Sequence, residues 1–161
     1  MVNPAPRRID YYHDPDAPRA NSIVVAVTAF IQDEDGRLLM IRRTDNDRYA
    51  IPGGAQEVGE TITQTVIREV HEETGITVEV TGLIGVYSDP GHVIAFADGE
   101  VRQEFSLCFR AQPVGGELRT SSESKEVLWV ERAQLDDLNI HRAIRLRVQH
   151  GYEHHAQPFY T

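Results

Sequence analysis

Five glutamates fall within residues 53–76, at positions 57, 60, 69, 72 and 73, against a single arginine, Arg68. Each residue of an α-helix advances about 100°, so Glu69, Glu72 and Glu73 share roughly 100° of arc within one turn. Like charges at these spacings cost a helix about 0.2–0.5 kcal/mol per pair. Ile62, Val66 and Val70 repeat every four residues on a neighbouring face that should dock on a sheet. The carboxylates then stand at the border of core and solvent. A run of Glu is ordinarily a solvated face. Here Gly53-Gly54 follows Pro52 and lets the backbone approach a ligand closely. Carboxylates and backbone carbonyls are the ligands that hard Mg2+ or Mn2+ prefer. Arg68, one turn before Glu72, is placed to hold the carboxylates in a fixed geometry.

The elements that must position this stretch can be read around it. "SIVVAVTAFIQ" (22–32) is a strand, "DEDG" turns, and "RLLMIRRT" (37–44) is expected to be its hairpin partner. "YAIPGG" (49–54) is a short extended piece broken by Pro52. A helix is expected from Glu60 or Thr61 to Thr74, with Gly75 as a left-handed cap. Strands follow at 76–89, 93–97, 101–114 and 125–131. A helical stretch begins at 132–138 and a second helix covers 140–152. The order predicts an α/β fold, a mixed sheet covered by helices. Residues 1–21 read as an irregular arm rich in Pro and Asp, 22–153 as a single domain, and 154–161 as a tail without periodicity.

With 161 residues the chain suits one domain. Its 25 Asp+Glu against 16 Lys+Arg give a formal charge of −9, which argues against nucleic acid polymers and anionic membranes as partners. A phosphate-bearing ligand would therefore need metal or locally placed Arg. The lone Cys108, in the alternating run "EFSLCFR", reads as a core thiol. A single thiol fits a reducing compartment, and no stretch has the apolar length of a bilayer span or secretion signal, so a cytoplasmic location is expected. The seven histidines lack a ligand spacing: His154-His155 reads as surface and His71 as solvent-facing.

From Gly54 the sequence runs five residues to Glu60, seven more to Arg68, and then Arg68-Glu69-Val70-His71-Glu72-Glu73-Thr74-Gly75-Ile76. This resembles the Nudix box, Gly-x5-Glu-x7-Arg-Glu-U-x-Glu-Glu-x-Gly-U, with U an aliphatic residue. Every fixed position matches, Val70 and Ile76 included. The resemblance implies a Nudix-type α/β/α sandwich and hydrolysis of a nucleoside diphosphate linked to another group. It implies Mg2+, or alternatively Mn2+, held by Glu69 and Glu73 first and Glu72 third. The Gly53 carbonyl and Glu57 are further ligands, and Glu60 and Arg68 orient the set. Two unit charges about 4 Å apart interact by about 4 kcal/mol at an effective dielectric near 20, so three ionised Glu would expel a diphosphate unless cations lay between.

The general base in this family need not come from the box. Glu69, Glu104 in "VRQEFSL", and Glu123 and Glu126 in "SSESKEV" are the candidates. Arg42, Arg43, Arg48 and Arg102 are candidate phosphate partners, and strand alternation puts only one of Arg42 and Arg43 on the site. Tyr12, Tyr87, Phe96 and Phe105 either stack on a base or fill the core, the core being favoured for the two phenylalanines. Pro90, fourteen residues after Ile76, is associated in the family with ADP-ribose, although "DPG" is also an ordinary turn. The tyrosine of the dinucleoside-polyphosphate branch is absent, since 92–94 reads His-Val-Ile. The expected substrate is thus ADP-ribose or a nucleotide sugar. The alternatives are a (d)NTP pyrophosphohydrolase acting on damaged nucleotides and a non-catalytic nucleotide-binding module. By analogy with the family, a homodimer is the expected assembly.

Overall fold

Strand β2 (Ser22–Ile31) lies parallel to β8 (Val101–Gly116), from Ser22 opposite Arg102 to Ile31 opposite Ala111. The two form the centre of a mixed sheet in the computed structural model, which describes residues 8–161. On the far side of β2 runs β5 (Gly53–Ala55), antiparallel, with Ala26, Val27 and Thr28 facing Ala55, Gly54 and Gly53. Strands β6 (Ile76–Tyr87) and β7 (His92–Ala95) both pair antiparallel with β8. Strand β1 (Ile9–Tyr12) adds to β7, and β10 (Phe159–Tyr160) lies parallel to β6. Part of the sequence read as an irregular arm is therefore an edge strand, and part of the tail pairs as well. The first seven residues of that arm lie outside the described residues.

The hairpin expected between β2 and β3 (Leu38–Arg43) does not form a continuous ladder. The two meet at one bridge, Gln32 to Leu38, and β3 enters a second, antiparallel sheet between β4 (Tyr49–Ala50) and β9 (Ser124–Val130). The reason lies in the run Leu38-Leu39-Met40-Ile41, each essentially inaccessible. Such a strand needs cover on both faces. Leu39 packs with Val27, Ala29, Ile31, Val66 and Val70, whereas Leu38 and Met40 pack with Phe30, Cys108, Ile140 and Val148. These two cores are the filling of an α/β/α sandwich. Helix α1 (Ile62–Thr74) covers one, and α2 (Arg142–Glu153), preceded by the 3-10 helix Arg132–Asp137, covers the other.

Helix α1 starts at Thr61, whose hydroxyl accepts from the Gln64 N–H while the Gln64 side chain accepts from the Thr61 N–H. Its face of Val66 and Val70 is fully buried, as the four-residue repeat requires. Gly75 ends it at φ 80°, with its N–H donating to the His71 carbonyl. A Cβ there would stand 2.1 Å from the Glu117 carbonyl oxygen. We predict that Gly75→Ala lowers stability by about 1–3 kcal/mol in urea unfolding. A loss below about 0.5 kcal/mol would show that the cap does not hold the helix end.

Candidate active site

Arg68 organises the acidic wall. Its Nε and Nη2 donate to both Glu60 oxygens at 2.7 and 2.9 Å, its Nη1 to Glu69 at 2.8 Å and Glu72 at 3.2 Å, and Nη2 also to the Ala55 carbonyl at 3.0 Å. The Arg68 hydrogen bonds, with help from the Glu57 N–H, hold the Glu60 carboxyl down to about 2. Glu69 and Glu73 sit on the inner side of this bracket and are buried. Gly54 makes room for Glu69, since a Cβ at Gly54 would lie 2.3 Å from its carboxyl carbon. Glu73 accepts the Gly53 N–H at 3.0 Å. Burial pushes Glu73 up to about 8 and raises Glu69 as well, against the opposing pull of Arg43 and Arg68 respectively.

Glu123 joins this pair from the loop before β9. One carboxylate oxygen from each of Glu69, Glu73 and Glu123 lies within 4.8 Å of the others. Two buried carboxylates beside a third are a poor arrangement for the bare protein and a good one for a hard divalent cation. The donor set fits Mg2+ or Mn2+. Glu72 and Glu57, expected among the ligands, have side chains 58 % and 68 % exposed and face Arg68 from the solvent side. Gly53 lines the same cleft.

The cleft beside this wall holds about 360 Å³. Arg43, Arg48, Arg102, Glu104 and Phe96 line it. Arg42, Glu126 and Tyr87 do not, which corrects three of the site expectations. The ladder between β3 and β9 slips at Arg42/Arg43, so that Arg42 faces Glu126 and Arg43 faces Ser124. Arg42 is consequently paired with Asp47 and Glu126, the latter also bound by the Tyr49 hydroxyl. Arg43, held by Asp45, is turned to the cleft. Tyr87 belongs to the core under α2, where its hydroxyl meets His150 Nδ1 at 2.8 Å. Tyr12 packs its edge on His92 and His141, and Cys108 is a buried thiol that burial pushes up to about 11.

Sequence reasoning missed a second group in the cleft: Arg8, Asp10, Ser106, His92, His141 and Arg147. Asp10, His92 and His141 are close enough to suggest a metal site. Their hydrogen bonds argue otherwise. The Ala143 N–H donates to His141 Nδ1 at 3.1 Å, so the neutral ring carries its proton on Nε2 and has no lone pair free for an ion. Burial pushes His141 down to about 4, which keeps it neutral. Both Asp10 oxygens accept from Arg8, and His92 Nε2 lies 3.2 Å from Asp10 Oδ1. Burial works to raise the Asp10 carboxyl, but His92 and Arg8 overcome it and hold it far below the usual range. No spacing in the sequence marks His141 and Arg147 as neighbours, since six residues turn a helix by about 600° and leave the two about 120° apart. The pairing of residue 10 with residue 94 was not visible there either.

The family model of the NUDIX domain matches residues 23–148. A MutT-like protein of Streptomyces ambofaciens is 47% identical over 106 residues, which is 66% of this chain and 62% of that protein. An ADP-ribose pyrophosphatase of Methanocaldococcus jannaschii is 38% identical over 123 residues, 71% of this chain and 62% of that one. The chain thus matches less than two thirds of the length of either relative. A solved Nudix hydrolase from Nitrosomonas europaea superposes with a TM-score of 0.69 at 24% identity, over 89% of this chain and 78% of its own. An ADP-ribose pyrophosphatase structure from Streptococcus suis gives 0.64 at 20% identity, over 86% and 98%. At these identities the two structures speak for the fold.

Glu73 generates a prediction about pH and metal. Its folded pKa, about 8, lies above the ordinary carboxyl value of 4.5, so the native state retains a proton that the unfolded chain releases. The contribution is full below about 4.5 and is lost as pH rises toward 8. In EDTA, the melting temperature of the wild type should fall across that window more steeply than that of Glu73→Gln. At pH 8, millimolar Mg2+ should raise the melting temperature of the wild type and leave the variant nearly unmoved. Parallel curves for the two proteins, with equal responses to Mg2+, would contradict the assignment.

Proposed function

This chain belongs to the Nudix family, and from that membership we propose that it hydrolyses the pyrophosphate bond of a nucleoside diphosphate joined to a second moiety, ADP-ribose or a nucleotide sugar, with Mg2+ or Mn2+. The observation that carries the reading is the juxtaposition of the Glu69–Glu73–Glu123 group with arginines on one continuous cleft. An anionic wall meeting a cationic wall suits a ligand that brings negative charge and needs a cation beside it. The choice of a diphosphate with an attached group is supported by the relative named ADP-ribose pyrophosphatase.

Each residue has a role in this proposal. Glu69 and Glu73 hold the ion, with the Gly53 carbonyl beside them and Glu72 and Glu57 as outer carboxylates. A bound Mg2+ or Mn2+ supplies polarisation of phosphoryl oxygens and acidification of water. Arg68, fixed by Glu60, keeps Glu69 and Glu72 in register and prevents them from spreading into solvent. Arg43 and Arg48 present guanidinium groups to the phosphates, and Arg102, stacked 4.7 Å over Phe96, closes the cleft at β8. Glu123 makes no contact with Arg68 or Gly53 among the described residues and is the carboxylate assigned to accept the proton of the attacking water. Action in the cytoplasm is part of this reading, supported by the lone, buried thiol of Cys108; among the described residues no helix is long and apolar enough to cross a membrane. The domain is taken as residues 22–153, flanked by the arm and tail, and the assembly as a homodimer by analogy with the family.

A second reading, triphosphate hydrolysis, is supported by a relative named nucleoside triphosphatase, from Enterobacter sp., 29% identical over 127 residues. One panel separates the two: ADP-ribose, sugar nucleotides, dinucleoside polyphosphates and oxidised dNTPs, with products quantified with and without Mg2+. The expected result is Mg2+-dependent formation of AMP and ribose 5-phosphate from ADP-ribose. Glu69→Gln and Glu73→Gln should each reduce kcat about 100-fold or more, the scale of removing one charged group at the reacting centre. Higher kcat/KM on dNTPs, with release of pyrophosphate, would transfer the assignment to triphosphates. No turnover of any compound would leave the binding-module reading.

A further inference from the structure

The cleft does not end at the acidic wall. Across the sheet, Ala55 of β5 faces Ala26 of β2, which faces Ser106 of β8. Ser106 therefore lies two strand spacings, roughly 9–10 Å, from the glycine segment that packs on Glu69 and Glu73. Arg102, Glu104 and Ser106 occupy alternate positions of β8 and all line the cleft. Opposite them stand His141, the N-cap of α2, and Ile144 and Arg147 from its first two turns.

Two polar atoms in this region are buried without a hydrogen-bond partner among the described residues, Ser106 Oγ and Arg147 Nε. Ser106 is 1% exposed and Arg147 2%. A buried guanidinium nitrogen without an acceptor is costly, and native structures rarely leave one unless a ligand completes it. Arg147 is held in place from below by Tyr87, whose ring lies 4.8 Å from the guanidinium carbon. Glu104 lines the same part of the cleft and, unlike Glu100 and Glu126, enters no ion pair among the described residues.

We propose that this end of the cleft is a sugar subsite, in which Glu104, Ser106 and Arg147 bind the hydroxyl groups of the moiety attached to the diphosphate. The inference rests on the hydrolase reading above and assigns the residues that recognise the attached sugar. Hydroxyl groups both donate and accept, and so match a wall that mixes a carboxylate, a hydroxyl, a guanidinium N–H and the Nε2–H of His141. A vicinal diol can donate to Glu104 and accept from Arg147 at once. A further anion here would face Glu104. A flat base would want an open aromatic face, and the rings at hand already have partners: Phe96 under Arg102, and His92 stacked on His141 at 5.0 Å.

The test compares kcat/KM for ADP-ribose and ADP-glucose with that for the methyl ester of ADP, which keeps the base and the pyrophosphate but has no attached sugar. The wild type should prefer the sugar compounds about 100-fold or more. Glu104→Gln, Ser106→Ala and Arg147→Met should each reduce that preference about tenfold. Calorimetry without metal reads the subsite independently of turnover, and the wild type should bind ribose 5-phosphate more tightly than inorganic phosphate, a difference the variants lose. Arg147→Met should melt no lower than the wild type, because it removes an unpartnered donor. Equal kcat/KM for the methyl and sugar compounds, with hydrolysis intact, overturns the subsite and leaves the hydrolase reading standing. An equal fall on both compounds in Glu104→Gln would make Glu104 a proton-transfer residue and also overturn it. Hydrolysis of none of the compounds would instead refute the underlying reading, and tighter metal-free binding of ribose 5-phosphate would then still support the subsite.

Discussion

The structure depends on confining four glutamates around one guanidinium, with a fifth, Glu73, buried beside them. Arg68 reaches Glu60, Glu69, Glu72 and the Ala55 carbonyl together, while Glu57 approaches at 3.8 Å. It compensates the outer carboxylates, and it leaves Glu73 to be stabilised by the Gly53 N–H and the more distant Arg43. That division matters chemically. Arg68 holds the Glu60 carboxyl low, whereas burial raises Glu69 and Glu73, the pair that a cation would compensate. The Gly53-Gly54 pair is the backbone half of the same device. A side chain at Gly53 would run into the Val27 carbonyl at 2.0 Å, and one at Gly54 into the Glu69 carboxylate.

A slip in the β3–β9 ladder has a comparable influence from outside the box. It turns Arg42 toward Glu126 and Arg43 toward the cleft, and it brings Ser124 to the helix end, where its hydroxyl donates to the Glu73 carbonyl at 2.6 Å. Glu123, one residue earlier, is thereby set beside Glu69 and Glu73. The acidic group is thus assembled from a helix and a loop that sequence separates by about fifty residues, and its third member is not in the helix.

The two cores divide the labour. The core under α1 supports the acidic wall through Val66 and Val70. The core under α2 supports the opposite wall, with Tyr87 beneath Arg147 and Val148 packed among Phe30 and Ile140. Strand β3, inaccessible on both faces, joins them, so the two walls are held at a fixed separation by packed side chains.

By itself the sequence determined whatever is local. The helix Ile62–Thr74 with its Gly75 cap, the glycine pair before it, and the shared face of Glu69, Glu72 and Glu73 all follow from spacing within a few residues, and the box resemblance rests on the same stretch. Helices and strands have fixed periods, so residues close in sequence have calculable relative positions. Only the tertiary structure decided which distant residues meet them. The exchange of Glu126 for Glu123, the choice of Arg43 over Arg42, the burial of Tyr87, the departure of β3 into its own sheet and the arrival of Arg8, Asp10 and Arg147 at the cleft all depend on strand order, on one bulge and on which side of the sheet a helix covers. Those outcomes are set by the joint burial of apolar surface from the whole chain, and no local period encodes them.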